Sequence, residues 1–179
     1  MTTYVGVLRA INLGSHNKIA MSDLKLMLER LGFDEPRTVL LSGNIVFKSE
    51  SASAAKLEQQ LERASTNHLA VTTDYFVRSA TEWQAIVDAN PFVKEAKKDP
   101  ARVIMMCLRD APTPAQVKAL QASIVGREVV KASGKHAYLI YPDGQGRSKL
   151  TIQKIEKALG TRGTARNWNT VLKLAELSQ

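Results

Sequence analysis

The sequence predicts an α+β fold in which strands and helices follow one another in the same order twice. Short apolar runs of strand length alternate with segments whose hydrophobic residues recur at helical spacing. Turns rich in glycine and proline separate these runs, and the order of elements in the first half returns in the second. The chain has 179 residues, of which 44% are hydrophobic and 23% charged, a composition typical of globular proteins.

The first half of the chain predicts a βαββαβ unit. Its strands are expected over residues 4–11, 37–41, 45–48 and 71–78. The first helix is expected to begin at Ser22 and end at Gly32, and the second to begin at Ser53, because these residue types favour helix caps. The order of elements is the split βαβ pattern of ferredoxin-like folds.

The second half predicts the same order after a joining helix. That helix is expected to begin at a capping box of Thr81 and Gln84, and residues 94–100 are expected to form a hinge or a surface loop. Further strands are expected over residues 102–108, 128–131, 136–141 and 164–166. Helix starts are expected at Pro114, at about Ser148, and at Asn167 or Asn169. We therefore predict two successive ferredoxin-like (βαββαβ-type) units, residues 1–79 and residues 80–179, with the joining helix and a C-terminal helix in the second.

Targeting signals and membrane segments are not predicted. No apolar run reaches the roughly 18 residues that a transmembrane helix needs, so we expect no membrane partner. The N-terminus lacks the basic and apolar regions of a signal peptide. The single cysteine, Cys107, lies in an apolar strand and predicts a buried thiol in a reducing compartment, so we expect a cytoplasmic protein.

Several common chemistries leave no signature in the sequence. His16, His68 and His136 are scattered and lack other ligands at metal-binding spacing, so we predict no metal site. The G-x-S-x-G nucleophile motif and the phosphate-binding G-x-x-x-x-G-K-[ST] motif are both absent. The third strand lacks the two stacking aromatics of RNA-recognition motifs. We expect no cofactor, and the sequence leaves open whether the protein is an enzyme.

The positive charge of the chain is concentrated near its C-terminus. The net charge is +8. Residues 127–179 contain ten basic and four acidic side chains, a net charge of +6. Such an excess attracts phosphate groups, nucleic acid or acidic partners. The alternative is that these lysines and arginines only keep the protein soluble.

The glycine-rich segment over residues 141–149 is our first candidate anion site. We expect it to lead into a helix start, where free N–H groups and the helix dipole attract anions. Arg147 would bind a phosphate or carboxylate through two hydrogen bonds, Lys149 would add a point charge, and Ser148 a hydroxyl. The alternative is an ordinary hairpin exit in which Ser148 caps the helix.

A second candidate segment, residues 161–170, again combines cations and small polar groups at a helix start. Arg166 and Asn167 are candidates for holding an anion. The alternative is that Arg166 braces the two halves of the chain through buried hydrogen bonds. We predict that Trp168 anchors the core.

A third candidate region follows the first strand. Arg9 stands close to Asn12 in an apolar context, where a charge must be paired or functional. The turn around Gly43 joins the second and third predicted strands, and we hypothesise that it lies near Arg9 and Asn12. We interpret six side chains of these segments as possible ligand contacts, namely Arg9, Asn12, Asn17, Lys18, Ser42 and Asn44.

Five motifs in order suggest a family. They are LRAINLG (residues 8–14), followed by Asn17, Lys18, Met21 and Leu24, then SGNIVF (residues 42–47), NPF (residues 90–92), GRSK (residues 146–149) and TARNWNT (residues 164–170). Together they resemble the family catalogued as domain of unknown function 1697, small bacterial proteins, over nearly the whole chain. The resemblance implies a two-part α+β fold of ferredoxin-like character and no activity. Ala10 and Ser15 stand where the family pattern usually has glycines, which would stiffen or narrow the first loop.

Three hypotheses about function remain open at this point. The first is a binding module for an anionic ligand, either RNA or a phosphorylated small molecule. The second is an enzyme acting on a phosphorylated or nucleotide-like substrate, which requires the first loop and the Arg147 turn to share one pocket. The third is a structural or protein-interaction role, in which the polar motifs serve as turns, caps and braces.

Overall fold

The computed structural model describes residues 1–50 and 53–179, and these form two compact units. Unit 1 comprises Met1–Ala85 and Leu174–Gln179, and unit 2 comprises Ile86–Lys173. Each unit contains a four-stranded antiparallel sheet packed with helices. The prediction of an α+β fold built from two ferredoxin-like units is therefore confirmed. No helix of the described residues is long and apolar enough to cross a membrane.

Unit 1 has the predicted element order. Its elements are β1 (Thr2–Leu8), α1 (Met21–Arg30), β2 (Asp34–Val39), β3 (Asn44–Ser49), α2 (Ala54–Leu69) and β4 (Tyr75–Ser79). The strands lie in the order β2-β3-β1-β4 with every pair antiparallel, which is the ferredoxin-like arrangement. Ser53 caps α2 as predicted, since its side chain accepts from the N–H of Lys56. The predicted cap of α1 is wrong, because Ser22 lies inside a helix that begins at Met21.

Both faces of the sheet in unit 1 are buried. On the helix side, the rings of Tyr4 and Phe47 stack with their centroids 5.8 Å apart, and Phe33 stacks on Phe47 at 4.4 Å. On the other face, Val7 and Phe76 are fully buried. The aromatic rings of the central strands therefore serve the core and are not placed to stack on nucleotide bases.

The outer strands of this sheet are closed to further strand pairing. β2 contains Pro36, which has no N–H group, next to a register shift. In β4, the N–H of Tyr75 donates to Glu62 Oε1 at 3.1 Å, and the N–H of Val77 donates to Glu58 Oε1 at 2.9 Å. Two carboxylates of α2 thus occupy the positions that a neighbouring strand would use.

The second βαββαβ order lies in unit 2. Its strands are β5 (Val103–Leu108), β6 (Val129–Ser133), β7 (His136–Ile140) and β8 (Gly163–Asn167), arranged β6-β7-β5-β8. The helices are α3 (Ala80–Asp88), α4 (Val93–Lys98), α5 (Pro114–Ser123), α6 (Ile152–Leu159) and α7 (Trp168–Leu177), of which α3 and α7 are divided between the units. Single 3-10 turns cover Pro100–Arg102 and Gln145–Arg147.

Three helix starts and connections bear on the sequence predictions. The surface loop expected over residues 94–100 is wrong, because α4 occupies most of it and buries Ala96. The joining helix α3 begins two residues early, since Ser79 and Glu82 form the reciprocal cap, with Ser79 N–H donating to Glu82 Oε2 at 2.7 Å. The capping box of Thr113 and Gln116 at the start of α5 is present as predicted.

Each unit buries one arginine at the same position of its last strand. Arg78 of β4 pairs with Val5, and Arg166 of β8 pairs with Met105; both partners stand three residues before the end of the central strand. Both arginines are 8% exposed. In each, Nη1 donates to the carbonyl of the preceding residue at 2.8 Å. The repeat predicted from element order alone therefore extends to side-chain chemistry.

Three buried tyrosines are expected to make the stability of the protein depend on pH in alkaline solution. Burial raises the pKa of Tyr75, Tyr138 and Tyr141 to about 12 each, from an ordinary value of 10.0. The unfolded chain thus releases these protons first as the pH rises. We expect stability to be full below pH 10 and to fall progressively as the pH rises toward about 12. Melting temperature and tyrosinate absorbance, measured together across this range, check the prediction.

Tyr75→Phe is the control for this titration. It should remove one late-ionising group and leave the other two unchanged. It also removes the hydroxyl that hydrogen-bonds to Ser65 Oγ at 2.5 Å, at a cost of about 1 kcal/mol. Ionisation of all the tyrosines near pH 10 in a protein that is still folded would contradict the prediction.

Candidate functional site

The loop between β1 and α1 is held by the side chain of Asn12. Its Oδ1 accepts from the N–H of Ile19 at 2.8 Å, while Nδ2 donates to the carbonyls of Ile19 at 3.1 Å and Leu41 at 2.7 Å. The backbone N–H of Asn12 donates to the carbonyl of Asn17 at 3.0 Å. Both asparagines have positive φ, at 54° and 49°, a region that this residue type tolerates. One amide thus ties both ends of the loop together.

Ser42 and Asn44 shape the turn that Asn12 contacts. Asn44 is fully buried, and its Nδ2 donates to the carbonyl of Val39 at 2.7 Å and to Ser42 Oγ at 3.0 Å. Gly43 between them has φ of 81°, and a Cβ there would lie 2.5 Å from Ile11 Cδ1. The turn therefore requires glycine, and the polar side chains beside it satisfy its backbone.

Arg9 joins the loop to the segment that precedes β4. Its N–H donates to the carbonyl of Asp74 at 3.0 Å, and its carbonyl accepts from Thr73 Oγ1 at 2.5 Å. The residue is partly buried. The backbone of Arg9 is thus fixed on both sides before the loop begins.

Lys18 opens onto a groove beside α1. The groove has a volume of about 390 Å³, and Asp23, Leu26 and Arg30 line it from one face of α1. His68 lines it from the end of α2. Three side chains that can carry positive charge therefore share this surface with one carboxylate. The Asn12 side chain binds the N–H and the carbonyl of Ile19, and so holds the backbone directly after the exposed Lys18.

The N-terminus of α1 lies at one end of this groove. Ala20 is the N-cap residue and lines the groove, and it provides no side-chain hydrogen bond to the helix. The first N–H groups of a helix have no partner within the helix, and the helix dipole makes this end positive. Uncapped N–H groups therefore add to the charge of Lys18.

Arg30 and His68 line this groove, and sequence reasoning did not single them out as candidates. Arg30 follows Asp23 by two helical turns, a spacing that places both residues on one face of α1. Many pairs of surface residues have this spacing, so it does not by itself indicate a site. His68 was interpreted only as one of three scattered histidines. Its place beside Lys18 follows from the packing of α1 against α2, which no local motif encodes.

Arg147 lies in unit 2 among other charged side chains. The Arg127 guanidinium, hydrogen-bonded to Asp143, holds the pKa of that carboxyl below its usual range, and the charges of Arg102 and Arg147 act in the same direction. Arg127 and Asp143 are 70% and 65% exposed, so their ion pair contributes little to stability. The side chains of Arg147 and Lys149 are both exposed.

The helix start expected at Ser148 is wrong. The hydroxyl of Ser148 donates to Glu128 and accepts from the N–H of Leu150 at 3.0 Å. α6 begins four residues later at Ile152, and Thr151 is its cap. The chain makes a 3-10 turn before Ser148, so the positive end of the helix dipole is not at Arg147.

Arg166 and Asn167 are both engaged within unit 2. Arg166 Nη1 donates to Thr164 Oγ1 at 2.8 Å, and burial lowers the pKa of its guanidinium to about 10, which leaves it charged at neutral pH. Asn167 Oδ1 accepts from the N–H of Thr170 at 3.1 Å, so Asn167 caps α7 as one of our alternatives predicted. Trp168 is buried against Tyr138, with ring centroids 6.4 Å apart, as predicted for a core anchor.

The candidate residues divide between the two units. Arg9, Asn12, Asn17, Lys18, Ser42 and Asn44 belong to unit 1, and Arg147, Ser148, Lys149, Arg166 and Asn167 belong to unit 2. Within unit 1, a hydrogen bond from Asn12 to the carbonyl of Leu41 connects the first loop to the residue that precedes the turn at residues 42–44. Within the described residues, no group of three or more His, Cys, Asp or Glu side chains is placed to hold a metal ion.

Comparison with known proteins places this architecture in a family. The model of the family described as "Protein of unknown function (DUF1697)" matches residues 1–138. The chain belongs to the DUF1697 family. The part matched by the DUF1697 model contains all six candidate residues of unit 1, and it ends before Arg147.

Structural comparison gives the same fold. A solved structure described as "conserved bacterial protein SP0830 from Streptococcus pneumoniae" resembles this DUF1697 chain with a TM-score of 0.74. The two share 23% sequence identity, and the match covers 99% of each chain. At this identity the likeness shows a shared fold alone. A search of curated proteins finds no significant match.

The backbone of Ala10 leads to a prediction about stability. Ala10 has φ of 51°, a left-handed conformation that favours glycine, and the resemblance to DUF1697 proteins implied glycine here. We expect Ala10→Gly to raise the free energy of unfolding by about 0.5–1 kcal/mol, because it removes a steric penalty. Denaturant unfolding of both proteins measures the change.

Ala119→Gly is the matched control for Ala10→Gly. Ala119 is exposed in the middle of α5, where glycine should lower the free energy of unfolding by about 1 kcal/mol. If Ala10→Gly lowers stability as Ala119→Gly does, Ala10 is not strained.

Arg166→Ala tests whether this side chain is structural. Arg166 is buried and bonds to Thr164, so we expect its loss to lower the free energy of unfolding by about 2–4 kcal/mol. Lys149→Ala, at an exposed position, should change it by less than about 0.5 kcal/mol. An unchanged melting curve for Arg166→Ala together with lost anion binding would instead assign Arg166 to a ligand site.

Proposed function

We propose that the protein binds a small phosphate-bearing ligand in the groove beside α1 of unit 1. The observation that carries this proposal is the convergence of Lys18, Arg30 and His68 on one concave surface that contains a single carboxylate, Asp23. Lysine and arginine bind phosphate through charge-assisted hydrogen bonds, and backbone N–H groups at a helix N-terminus add to them.

The residues of the groove have distinct roles in this proposal. Lys18, next to the Ile19 backbone that Asn12 binds, supplies a point charge, and Arg30 supplies a planar guanidinium that binds two phosphate oxygens at once. Leu26, which is 44% exposed, and the buried Met27 provide an apolar wall for the carbon skeleton of the ligand. The groove thus combines charge for the phosphate with apolar surface for the rest of the molecule.

The size of the groove favours a small molecule over RNA. A volume of about 390 Å³ lies within the range of small-ligand pockets. RNA-binding sheets of this topology stack bases on exposed aromatic rings, whereas Tyr4 and Phe47 are in the core. RNA remains the second candidate ligand, because Arg147 and Lys149 are exposed in the basic C-terminal part of the chain.

Two other functions and the cellular location stay predictions. An enzyme acting on a phosphorylated or nucleotide-like substrate stays a prediction, and so does a structural or protein-interaction role. We also propose a cytoplasmic location, which the single cysteine, Cys107, favours because its buried thiol needs no oxidising compartment.

Titration of the full chain with inorganic phosphate and with ribose 5-phosphate tests the proposal. We expect backbone amide NMR signals of Ala20, Asp23 and His68 to shift in a saturable way. Lys18→Ala and Arg30→Ala should each weaken binding by about tenfold, the value of one charge-assisted hydrogen bond. Ribose 5-phosphate should bind more tightly than inorganic phosphate, since it also contacts the apolar wall.

Lys25→Ala is the matched control for this experiment. Lys25 lies on α1 outside the groove and pairs with Glu29 at 3.8 Å, so its loss should leave the affinity unchanged. Equal weakening by Lys25→Ala and Lys18→Ala would mean that only overall charge matters. Salt-dependent binding of a short RNA without binding of either phosphate probe would replace the small ligand with RNA.

A further inference from the structure

The outer strand β6 of unit 2 borders an apolar groove. The groove has a volume of about 660 Å³ and lies between β6 and α5. Val117 of α5 and Val130 and Ala132 of β6 line it, together with Pro112 and Pro114. Lys118 is the charged residue that lines the groove. Among the described residues that line it, none is acidic.

The side chain of Gln121 takes the place of a neighbouring strand at the start of β6. Its Oε1 accepts from the N–H of Val130 at 2.8 Å, and its Nε2 donates to the carbonyl of Glu128 at 3.3 Å. A strand paired with β6 would supply the same acceptor and donor to these two residues. The amide of Gln121 therefore closes this edge at Glu128 and Val130, and the part of β6 left for another strand begins after Val130.

Ala132 leaves this side of β6 open. Alternate residues of a strand direct their N–H and C=O groups to opposite sides, so Ala132 faces the same way as Val130. Its N–H and C=O therefore point away from β7, and within residues 1–50 and 53–179 no hydrogen bond joins either group to the chain on that side. A donor and an acceptor thus stand unpaired beside an apolar groove.

The other outer strands, β2, β4 and β8, are protected against further pairing by residues of this chain. In unit 1, Pro36 interrupts β2, and the carboxylates of Glu58 and Glu62 bind β4. In unit 2, the N–H of Gly163 in β8 donates to Glu156 Oε1 at 3.3 Å. Proteins commonly protect exposed strand edges, so an edge left open beside apolar surface indicates a use.

We propose that an extended acidic segment of a partner protein pairs with β6 and adds a fifth strand to this sheet. The backbone of Ala132 supplies the hydrogen bonds, and Val117 and Val130 contact apolar side chains on one side of the segment. The charge of the surface selects for acidic residues. Lys118 lines the groove and Lys135 is exposed in the turn, while Lys131 is exposed on the other face of β6, with its Nζ 5.5 Å from the centroid of the Phe92 ring.

A second copy of this chain fits the edge poorly. Antiparallel pairing of two β6 strands would bring the two Lys131 side chains close together, and lysine on an edge strand opposes such pairing. An acidic segment turns the same lysine into an attractive contact. The charge of β6 therefore separates the proposed partner from self-association.

The test uses the full chain and a synthetic peptide of alternating glutamate and valine, with both ends blocked. Its control is the same peptide N-methylated on the amides of one edge, which keeps charge and apolar surface but cannot form the strand ladder. We expect the first peptide to shift the NMR signal of the Ala132 amide and slow its hydrogen exchange. The N-methylated peptide should not bind.

Charge reversal provides the second part of the test. Lys118→Glu should weaken binding by about threefold to tenfold, as expected when an exposed attraction becomes a repulsion. Lys94→Glu, at an exposed position of α4 outside the groove, should leave the affinity unchanged. Equal binding of both peptides, an unaffected Ala132 amide, or equal effects of the two variants would overturn the proposal. A concentration-dependent dimer that buries β6 would overturn it in favour of a second copy.

Discussion

Backbone hydrogen bonding at the margins of two small sheets is the constraint on which this structure depends. The central strands β1 and β5 are buried and paired on both sides, so the unpaired N–H and C=O groups fall at the outer strands and in the connecting loops. The protein meets this demand with side chains that act in place of backbone. Glu58, Glu62 and Glu156 bind outer strands, and Asn12 and Asn44 bind loops.

The groove of unit 1 is a product of the same constraint. Because Asn12 satisfies the backbone at both ends of the first loop, the loop keeps one conformation without a regular element, and Lys18 emerges at a fixed place next to α1. Ala10, Asn12 and Asn17 have left-handed backbone conformations, so this loop conformation includes local backbone strain. In the proposed binding site, this support would hold the backbone beside Lys18 in place before a ligand binds.

Sequence patterns predicted the fold well and the candidate site only in part. Apolar runs and helical spacing predicted the element order of both units, since burial of these side chains depends on local periodicity. The same patterns gave the wrong start for α6, because Ser148 and Thr151 are both residue types that favour a helix cap. In the structure Thr151 caps α6, and the hydroxyl of Ser148 donates to Glu128 instead. Residues such as Arg30 and His68 come together only by tertiary packing, which a single sequence does not display.

The repeat places equivalent arginines in both units, yet its connections differ in length. Unit 1 uses residues 9–20 to pass from its central strand to its first helix, whereas unit 2 uses only residues 109–113. The groove at Lys18 thus depends on a long connection, whereas the corresponding connection of unit 2 is short. If the two units descend from one duplicated ancestor, the framework of strands and buried arginine is the inherited part, and the long first loop is where one copy diverged toward its own task.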